Sequence, residues 1–312
     1  MFTQHYKMNG IYRLIPFAVP KPWGGGHLDA LAQNTAAEKI GEYVLFSNLP
    51  QFPVKVVTAT GEKLLADFLR ETEIPTHPLP FMLKLLSTND SISVQNHPSD
   101  ADTEAMGLKG GGKFECWTIL KADSSARAYL GLKPGESPQV LHGLEGEKDP
   151  LRHFNAIELQ QGDVIKLNPG LVHSTTGRLL FYEIQQTSDH TFRIYDFGRG
   201  RDLHLEQAIR CMRDQTPDIL PGFQNLVTDK FSVNYHRLDT ELRLSPGGKK
   251  FSVLTWMGRP ARLISGKDEF ILGWGDSLLV TNPSDLVLKA EATTNQPVAN
   301  LPMIDVLFEA YC

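Results

Sequence analysis

Residues 162–175 read GDVIKLNPGLVHST. Gly162-Asp163 opens an apolar run, Pro169-Gly170 makes a tight turn, and His173 stands at the head of the next run. Val, Ile and Leu bounded by Gly, Asn and Pro read as two antiparallel strands joined by a turn. A hairpin of this kind points its histidine back into the sheet system. On either side the same pattern recurs, in YVLF (43–46), FMLKLL (81–86), SISVQ (91–95), CWTIL (116–120), ARAYLGL (126–132), LLFYEIQ (179–185) and FRIYDF (192–197). These runs are short and bounded by turn residues. They predict a mainly β chain, an antiparallel sandwich or barrel. Two helices are expected within it. GEKLLADFLRETE (61–73) stops before Pro75, and DLHLEQAIRCMRD (202–214) has Asp202 as N-cap and stops before Pro217.

From about Lys230 the pattern is again strand-like: FSVNYHRL, FSVLTWM, ARLISG, EFILGW, SLLVTN and DLVLKAEA. Pro217 and Pro221 in TPDILPGFQ interrupt helix and strand alike and mark the expected boundary. That gives a larger unit at 1–215 and a smaller all-β unit at 216–312. With 312 residues and 41% hydrophobic content the chain can fill such cores. A net charge of -5 offers no basic surface for nucleic acid or for a membrane. Cys116, Cys211 and Cys312 are odd in number and widely spaced, which fits free thiols in a reducing cytosol rather than a disulfide framework. MFTQHYKMNGIY lacks the apolar core of a signal peptide, and no run approaches the ~20 apolar residues of a membrane span. A soluble cytoplasmic protein is expected.

Three segments carry chemistry. In SISVQNHPSD (91–100), strand alternation puts Ser93, Gln95 and His97 on one face. In GGGKFECWTIL (110–120), Glu115 opens a strand and Lys113, two residues earlier, shares its face. His173 of the hairpin completes the set. Any one of these histidines is more often hydrogen-bonded than metal-bound, and Glu115 alone reads as a solvated charge. Together Gln95, His97, Glu115 and His173 offer two imidazoles, a carboxylate and an amide oxygen. That donor set suits Zn²⁺, with Fe²⁺, Mn²⁺ or Co²⁺ as rivals. Cys116 points away from the ligand face, and Trp117 reads as core packing beside it. His5, His27, His77, His142, His153, His190, His204 and His236 have no evident partners. GGGK (110–113) is not a phosphate-binding P-loop, because no Ser or Thr follows the lysine.

These segments, taken in order, resemble type I mannose-6-phosphate isomerase in its short bacterial form, a member of the cupin superfamily. KPWGGG (21–26), KIGEYVLFS (39–47), FMLKLLSTNDSISVQNHPSD (81–100), GKFECWTIL (112–120), GDVIKLNPGLVHST (162–175) and EIQQTSDHTFRIYDFGR (183–199) carry the resemblance. It implies a cupin jelly roll with a few helices, one Zn²⁺ per chain held by Gln95, His97, Glu115 and His173, and a sugar-phosphate substrate. It further implies Arg193 beside the reacting carbons with Glu183 and Asp189 near it, and Lys113 as an acid–base group. Ser93 and Arg199 would receive the phosphate, and Trp23 would wall the site. GDSLLVTNPSDLVL (275–288) echoes the hairpin with Leu286 or a neighbour at the place of His173, so 216–312 is expected to be a second, metal-free cupin-like unit. The stretch 121–155 is short for the family, which implies a reduced lid.

The implied reaction moves a proton between C1 and C2 of an open-chain sugar through a cis-enediol. A metal ion supplies Lewis acidity there, and a guanidinium can steady the developing charge. A lysine beside a dication is expected to have its pKa lowered. The alternatives are another metal cupin enzyme such as an iron oxygenase, a non-catalytic sugar-phosphate-binding cupin, and an isomerase of an unphosphorylated hexose. Oligomeric state is not legible in the sequence.

Overall fold

The computed structural model describes residues 10–28, 39–72, 74, 79–245, 249–281, 285–291 and 301–312. It is mainly β, as expected, and its chain forms two compact units. One comprises Met1–Ala18, Tyr43–Lys84 and Gln224–Cys312, and the other Val19–Glu42 and Leu85–Phe223. No helix among the described residues is long and apolar enough to cross a membrane.

The second of these units holds every residue that the sequence marks for chemistry. One antiparallel sheet runs in the order Phe154–Glu158, Arg127–Leu132, His173–Thr176, Val94–Asn96, Phe192–Tyr195. Another sheet places Asp218–Leu220, Val164–Leu167, Glu115–Ala122, Leu179–Gln185 and Met82–Thr88 side by side. Alternate residues of these strands form a shared apolar cluster that includes Trp117, Ile119, Leu130, Ile165, Leu167 and Phe181. Burying such side chains stabilises a fold by about 1.5–3 kcal/mol each, which makes this cluster the main support of the jelly roll. On the far side of the five-stranded sheet, Leu141, Leu144 and Leu151 pack with Val94, Phe192 and Ile194. They come from two 3-10 helices, Pro138–Gly146 and Pro150–His153, which lie within the short stretch 121–155.

The other unit repeats the hairpin grammar. Its eight-stranded sheet includes Ser252–Met257, Ser277–Val280 and Val306–Tyr311, and a four-stranded sheet includes Leu286–Ala290. The Gly-Asp turn is the same in both units at the level of hydrogen bonds. Asp163 Oδ2 accepts from Gln160 N at 2.8 Å, and Asp276 Oδ2 accepts from Gly273 N at 2.7 Å. Gly162 N donates to Ile119 O at 2.8 Å, and Gly275 N to Trp256 O at 2.7 Å. The echo of GDVIKLNPGLVHST in GDSLLVTNPSDLVL thus extends to the hydrogen bonds of the turn. Leu286, expected with its neighbours at the place of His173, is fully buried at the start of its strand. Asn282 and Pro283 lie outside the described residues.

Three local expectations are corrected. The helix expected over 61–73 is confined to Leu65–Glu71, because Gly61–Leu64 pairs with Lys55–Thr58 as a hairpin. The helix expected over 202–214 is Leu205–Cys211, with His204 rather than Asp202 at its N-cap. Pro217 and Pro221 do not prevent a strand, since Asp218–Leu220 fits between them at the end of its sheet and pairs with Val164–Lys166. An edge position spares a proline-flanked strand the ladder bonds that proline cannot make.

His153, which had no evident partner in the sequence, ties down the 3-10 segment. Its Nδ1 lies 2.9 Å from Glu136 Oε1 and its Nε2 lies 2.8 Å from Glu147 Oε1. Carboxylates only accept, so both ring nitrogens must donate and the ring is an imidazolium. Glu147 first, then Glu136, raises its pKa above the ordinary value. A raised histidine adds stability that is complete below its unfolded pKa of about 6.5 and is lost as pH climbs through the native value. The gap in melting temperature between the parent and His153→Gln should thus narrow as pH rises from about 6 to about 9. A gap that is constant across that range would remove the imidazolium from the account.

Candidate metal centre

Sheet register assembles the centre. Across the five-stranded sheet, Arg193 pairs with Gln95, Gln95 with His173, and His173 with Leu130. Directly paired residues project to the same side, so one row carries a guanidinium, an amide and an imidazole. His97 follows Gln95 by two residues. In the other sheet Leu167, Glu115 and Gln185 form one row, and Ile165, Trp117 and Glu183 form the next.

His97, Glu115 and His173 are 2%, 1% and 1% exposed, and their ligating atoms all lie within 4.8 Å of one another. His97 Nδ1 is 2.8 Å from His190 O, and His173 Nδ1 is 2.9 Å from Leu171 O. Each Nδ1 therefore carries the proton, and each Nε2 turns a lone pair inward. Those lone pairs face a carboxylate, with His97 Nε2 3.4 Å from Glu115 Oε2 and His173 Nε2 3.5 Å from Glu115 Oε1. Lone pairs directed at an anion repel it, and a cation among them reverses the sign. Ligand atoms about 2.0 Å from a tetrahedral zinc ion lie about 3.3 Å apart, which matches these separations. The donor set and its spacing fit the metal that the sequence reading expected.

Protonation follows the same logic. Burial, aided by Lys113, lowers the His97 pKa to about 4, and burial lowers that of His173. Burial alone would raise Glu115, but the Lys113 ammonium against it holds it well below the usual carboxylate range. At neutral pH the centre is two neutral imidazoles and one ionised carboxylate, the form that metal ligation requires.

Lys113 Nζ sits 2.6 Å from Glu115 Oε2 and 3.2 Å from His97 Nε2. Its backbone is placed by Gly112, where a Cβ would come within 2.4 Å of Ser99 C and 2.5 Å of Asp100 N. Only glycine lets this loop approach the Pro98–Asp100 turn so closely. Gln186 holds the next residue from the other side, its Oε1 accepting from Phe114 N at 2.9 Å. Gln95 directs Nε2 to His173 Nε2 at 3.4 Å, while its Oε1 accepts from Ser93 Oγ at 2.9 Å. Its amide would have to turn over to offer oxygen to a metal.

The other sequence-marked residues are distributed as follows. Glu183 is buried and accepts a hydrogen bond from Trp117 Nε1 at 3.0 Å. Arg193 is half-buried and its Nη1 donates to Asp202 O at 2.7 Å. Arg199 Nη2 donates to Asp90 Oδ2 at 2.9 Å, and its guanidinium lies over the Phe197 ring at 5.4 Å. Asp189 is exposed on the turn between two strands. Trp23 is buried in the apolar cluster that contains Trp117. The structure thus gathers Ser93, Gln95, His97, Lys113, Glu115 and His173 by direct contact, and Glu183 through Trp117.

Sequence reasoning missed the indole N–H of Trp117, the carbonyls of His190 and Leu171, and the clamp by Gln186. Only the last two glutamines of LLFYEIQQ gave a signal, since adjacent polar residues are odd in a plain core strand. It also missed the helix Asp100–Ala105, whose Ser99–Asp102 capping box anchors the turn after His97.

No family model matches the chain. A mannose-6-phosphate isomerase of Streptococcus mutans is 28% identical over 286 residues, 84% of this chain and 89% of the relative. A probable mannose-6-phosphate isomerase of Bacillus subtilis is 30% identical over 213 residues, 64% of this chain and 67% of the relative. Among solved structures, a mannose 6-phosphate isomerase from Bacillus subtilis superposes with a TM-score of 0.81 at 20% identity, covering 97% of this chain and 100% of that one. A zinc-bound mannose 6-phosphate isomerase superposes with a TM-score of 0.72 at 14% identity, covering 97% and 99%. These two establish the shared fold.

Zinc at about a hundredfold its dissociation constant should stabilise the folded chain by about 2.7 kcal/mol, visible as a rise in melting temperature. His173→Ala should abolish that rise. With the His97 pKa lowered to about 4, the rise should persist into mildly acidic buffer. Equal stabilisation of parent and His173→Ala would place the ion elsewhere.

Proposed function

We propose that this chain, which belongs to the mannose-6-phosphate isomerase family, interconverts mannose 6-phosphate and fructose 6-phosphate with one zinc ion per chain. The observation that carries this reading is the convergence of two inward lone pairs, from His97 and His173, on the ionised Glu115, with Lys113 against them. An oxygenase has no use for a buried lysine at its metal, and a retired binding protein has no need to keep the full donor set.

His97, Glu115 and His173 would hold the zinc ion, with Gln95 joining them through its amide oxygen. When bound, the ion supplies Lewis acidity toward the oxygens on C1 and C2. Lys113 and Glu183 are the groups we assign to holding and moving the proton in ring opening and between the two carbons. Arg193, on the same row as Gln95 and His173, steadies the negative charge that develops on the sugar oxygens. Asp189 assists from the turn that precedes Arg193. Ser93 and Arg199 receive the phosphate, Arg199 exchanging the exposed carboxylate of Asp90 for it. Trp23 backs the wall that Trp117 forms. We assign catalysis to the larger unit, drawn in the sequence at 1–215, and a structural role to the other. The free thiols Cys116, Cys211 and Cys312 suit a cytoplasmic location.

The test is conversion of mannose 6-phosphate to fructose 6-phosphate in a coupled assay. Turnover should vanish on chelation and return with zinc. Arg193→Ala should lower kcat by about 100- to 1,000-fold, and Lys113→Ala by about 100-fold or more. A zinc-replete chain that leaves mannose 6-phosphate unchanged would sink the proposal, and full turnover in Lys113→Ala would remove that lysine from the proton path.

A further inference from the structure

Trp117 stands where the apolar core meets the reacting cluster. Its ring packs against Phe181 at 4.8 Å between centroids and meets the His173 imidazole edge-on at 5.5 Å. A phenylalanine could make those contacts. The indole N–H does something no phenyl ring can, donating to Glu183 Oε2 at 3.0 Å. Register produces the bond, because Trp117 and Glu183 are directly paired on neighbouring antiparallel strands. Glu183 is 3% exposed and Trp117 is 2% exposed, so water does not compete for either group. A buried carboxylate requires donors, and a hydrogen bond to an ionised acceptor is roughly twice as strong as a neutral one. The indole nitrogen is a donor only and cannot reverse its role.

We propose that Trp117 is a positioning residue for the isomerisation, its indole N–H fixing one oxygen of Glu183 and so setting the direction in which the other faces. The inference rests on the role of Glu183 in the proposed reaction. Trp117→Phe retains an aromatic ring in the core and deletes the donor. It leaves His97, Glu115 and Lys113 untouched.

The experiment is a double-mutant cycle on the zinc-loaded enzyme with Trp117→Phe, Glu183→Gln and the pair. Trp117→Phe should lower kcat by about 10- to 100-fold with KM within about threefold, because the lost bond acts on orientation and not on substrate affinity. In the Glu183→Gln background the same change should cost less than about threefold. Full kcat in Trp117→Phe overturns the inference, and so do losses that multiply in the pair, which is the pattern of ring packing alone. Full turnover in Glu183→Gln also overturns it, by removing the group on which Trp117 acts. A parent without turnover on mannose 6-phosphate is the separate failure of the reaction itself. Should Trp117→Phe not fold, the indole ¹H–¹⁵N resonance of Trp117 is compared in the parent and in Glu183→Gln. A shift upfield on losing the carboxylate supports the bond, and an unmoved resonance overturns it.

Discussion

A carboxylate with 1% exposure is the constraint on which the unit holding the candidate centre is built. An ionised group withdrawn from water loses several kcal/mol of solvation, and Glu115 recovers it only through what surrounds it. One ammonium, Lys113, contacts it directly at 2.6 Å. Two imidazoles stand off at 3.4 and 3.5 Å with their protons committed to backbone carbonyls on the far side. That geometry is poor for hydrogen bonding, whose N–H···O distances run to about 3.2 Å, and suited to a shared cation. The strands, the glycine approach at Gly112 and the glutamine clamp at Gln186 all serve to hold these groups at that spacing.

The second unit also holds a buried carboxylate, with its side-chain partners at contact distance. Glu309 is also buried, and its pKa is held to about 2 against the effect of burial. Its partners close in completely, with His236 Nε2 at 3.0 Å, Asn234 Nδ2 at 3.3 Å and the Lys249 ammonium at 2.5 Å. The lysine lies over the Tyr311 ring as well, 3.8 Å from its centroid. Here histidine donates straight to the carboxylate at hydrogen-bond distance. Nε2 faces the acid in both units, so the difference between the two carboxylates lies in whether that nitrogen carries the proton. A backbone carbonyl behind the histidine decides that.

This explains how far the sequence could be read. Alternation placed Gln95 and His97 together, and turn chemistry placed His173 opposite, because both are local properties of strands and hairpins. The mainly β class, a sandwich or barrel, followed from the same signals, and the family resemblance implied the jelly roll. What chooses the tautomer, the carbonyls of His190 and Leu171, has no letter in the sequence, since every residue carries the same backbone. Trp117 was read as core because its ring is core, and its N–H acquires meaning only from a pairing with Glu183 some sixty residues on. The make-up of the units was hidden for a related reason. Met1–Ala18 and Tyr43–Lys84 group with Gln224–Cys312 through long-range strand pairing, as in Ile11 opposite Val280, and no local pattern announces such partners.

The late start of the helix at Leu205 makes the last connection between local preference and function. Asp202 is a good N-cap by composition, yet its carbonyl receives Arg193 Nη1 at 2.7 Å. Two residues on, His204 N donates to Arg193 O at 2.7 Å, and Arg193 N donates to His204 Nδ1 at 3.3 Å. The segment before the helix is thus spent on gripping Arg193 by its backbone and its guanidinium. A capped helix beginning at Asp202 would gain about 1 kcal/mol locally and would give up that grip. Arg193 lies in the row that holds Gln95 and His173, so its orientation matters more to the centre than a helical turn does to the fold. Where propensity and position disagree in this chain, the residue displaced from its local optimum is the one that serves the site.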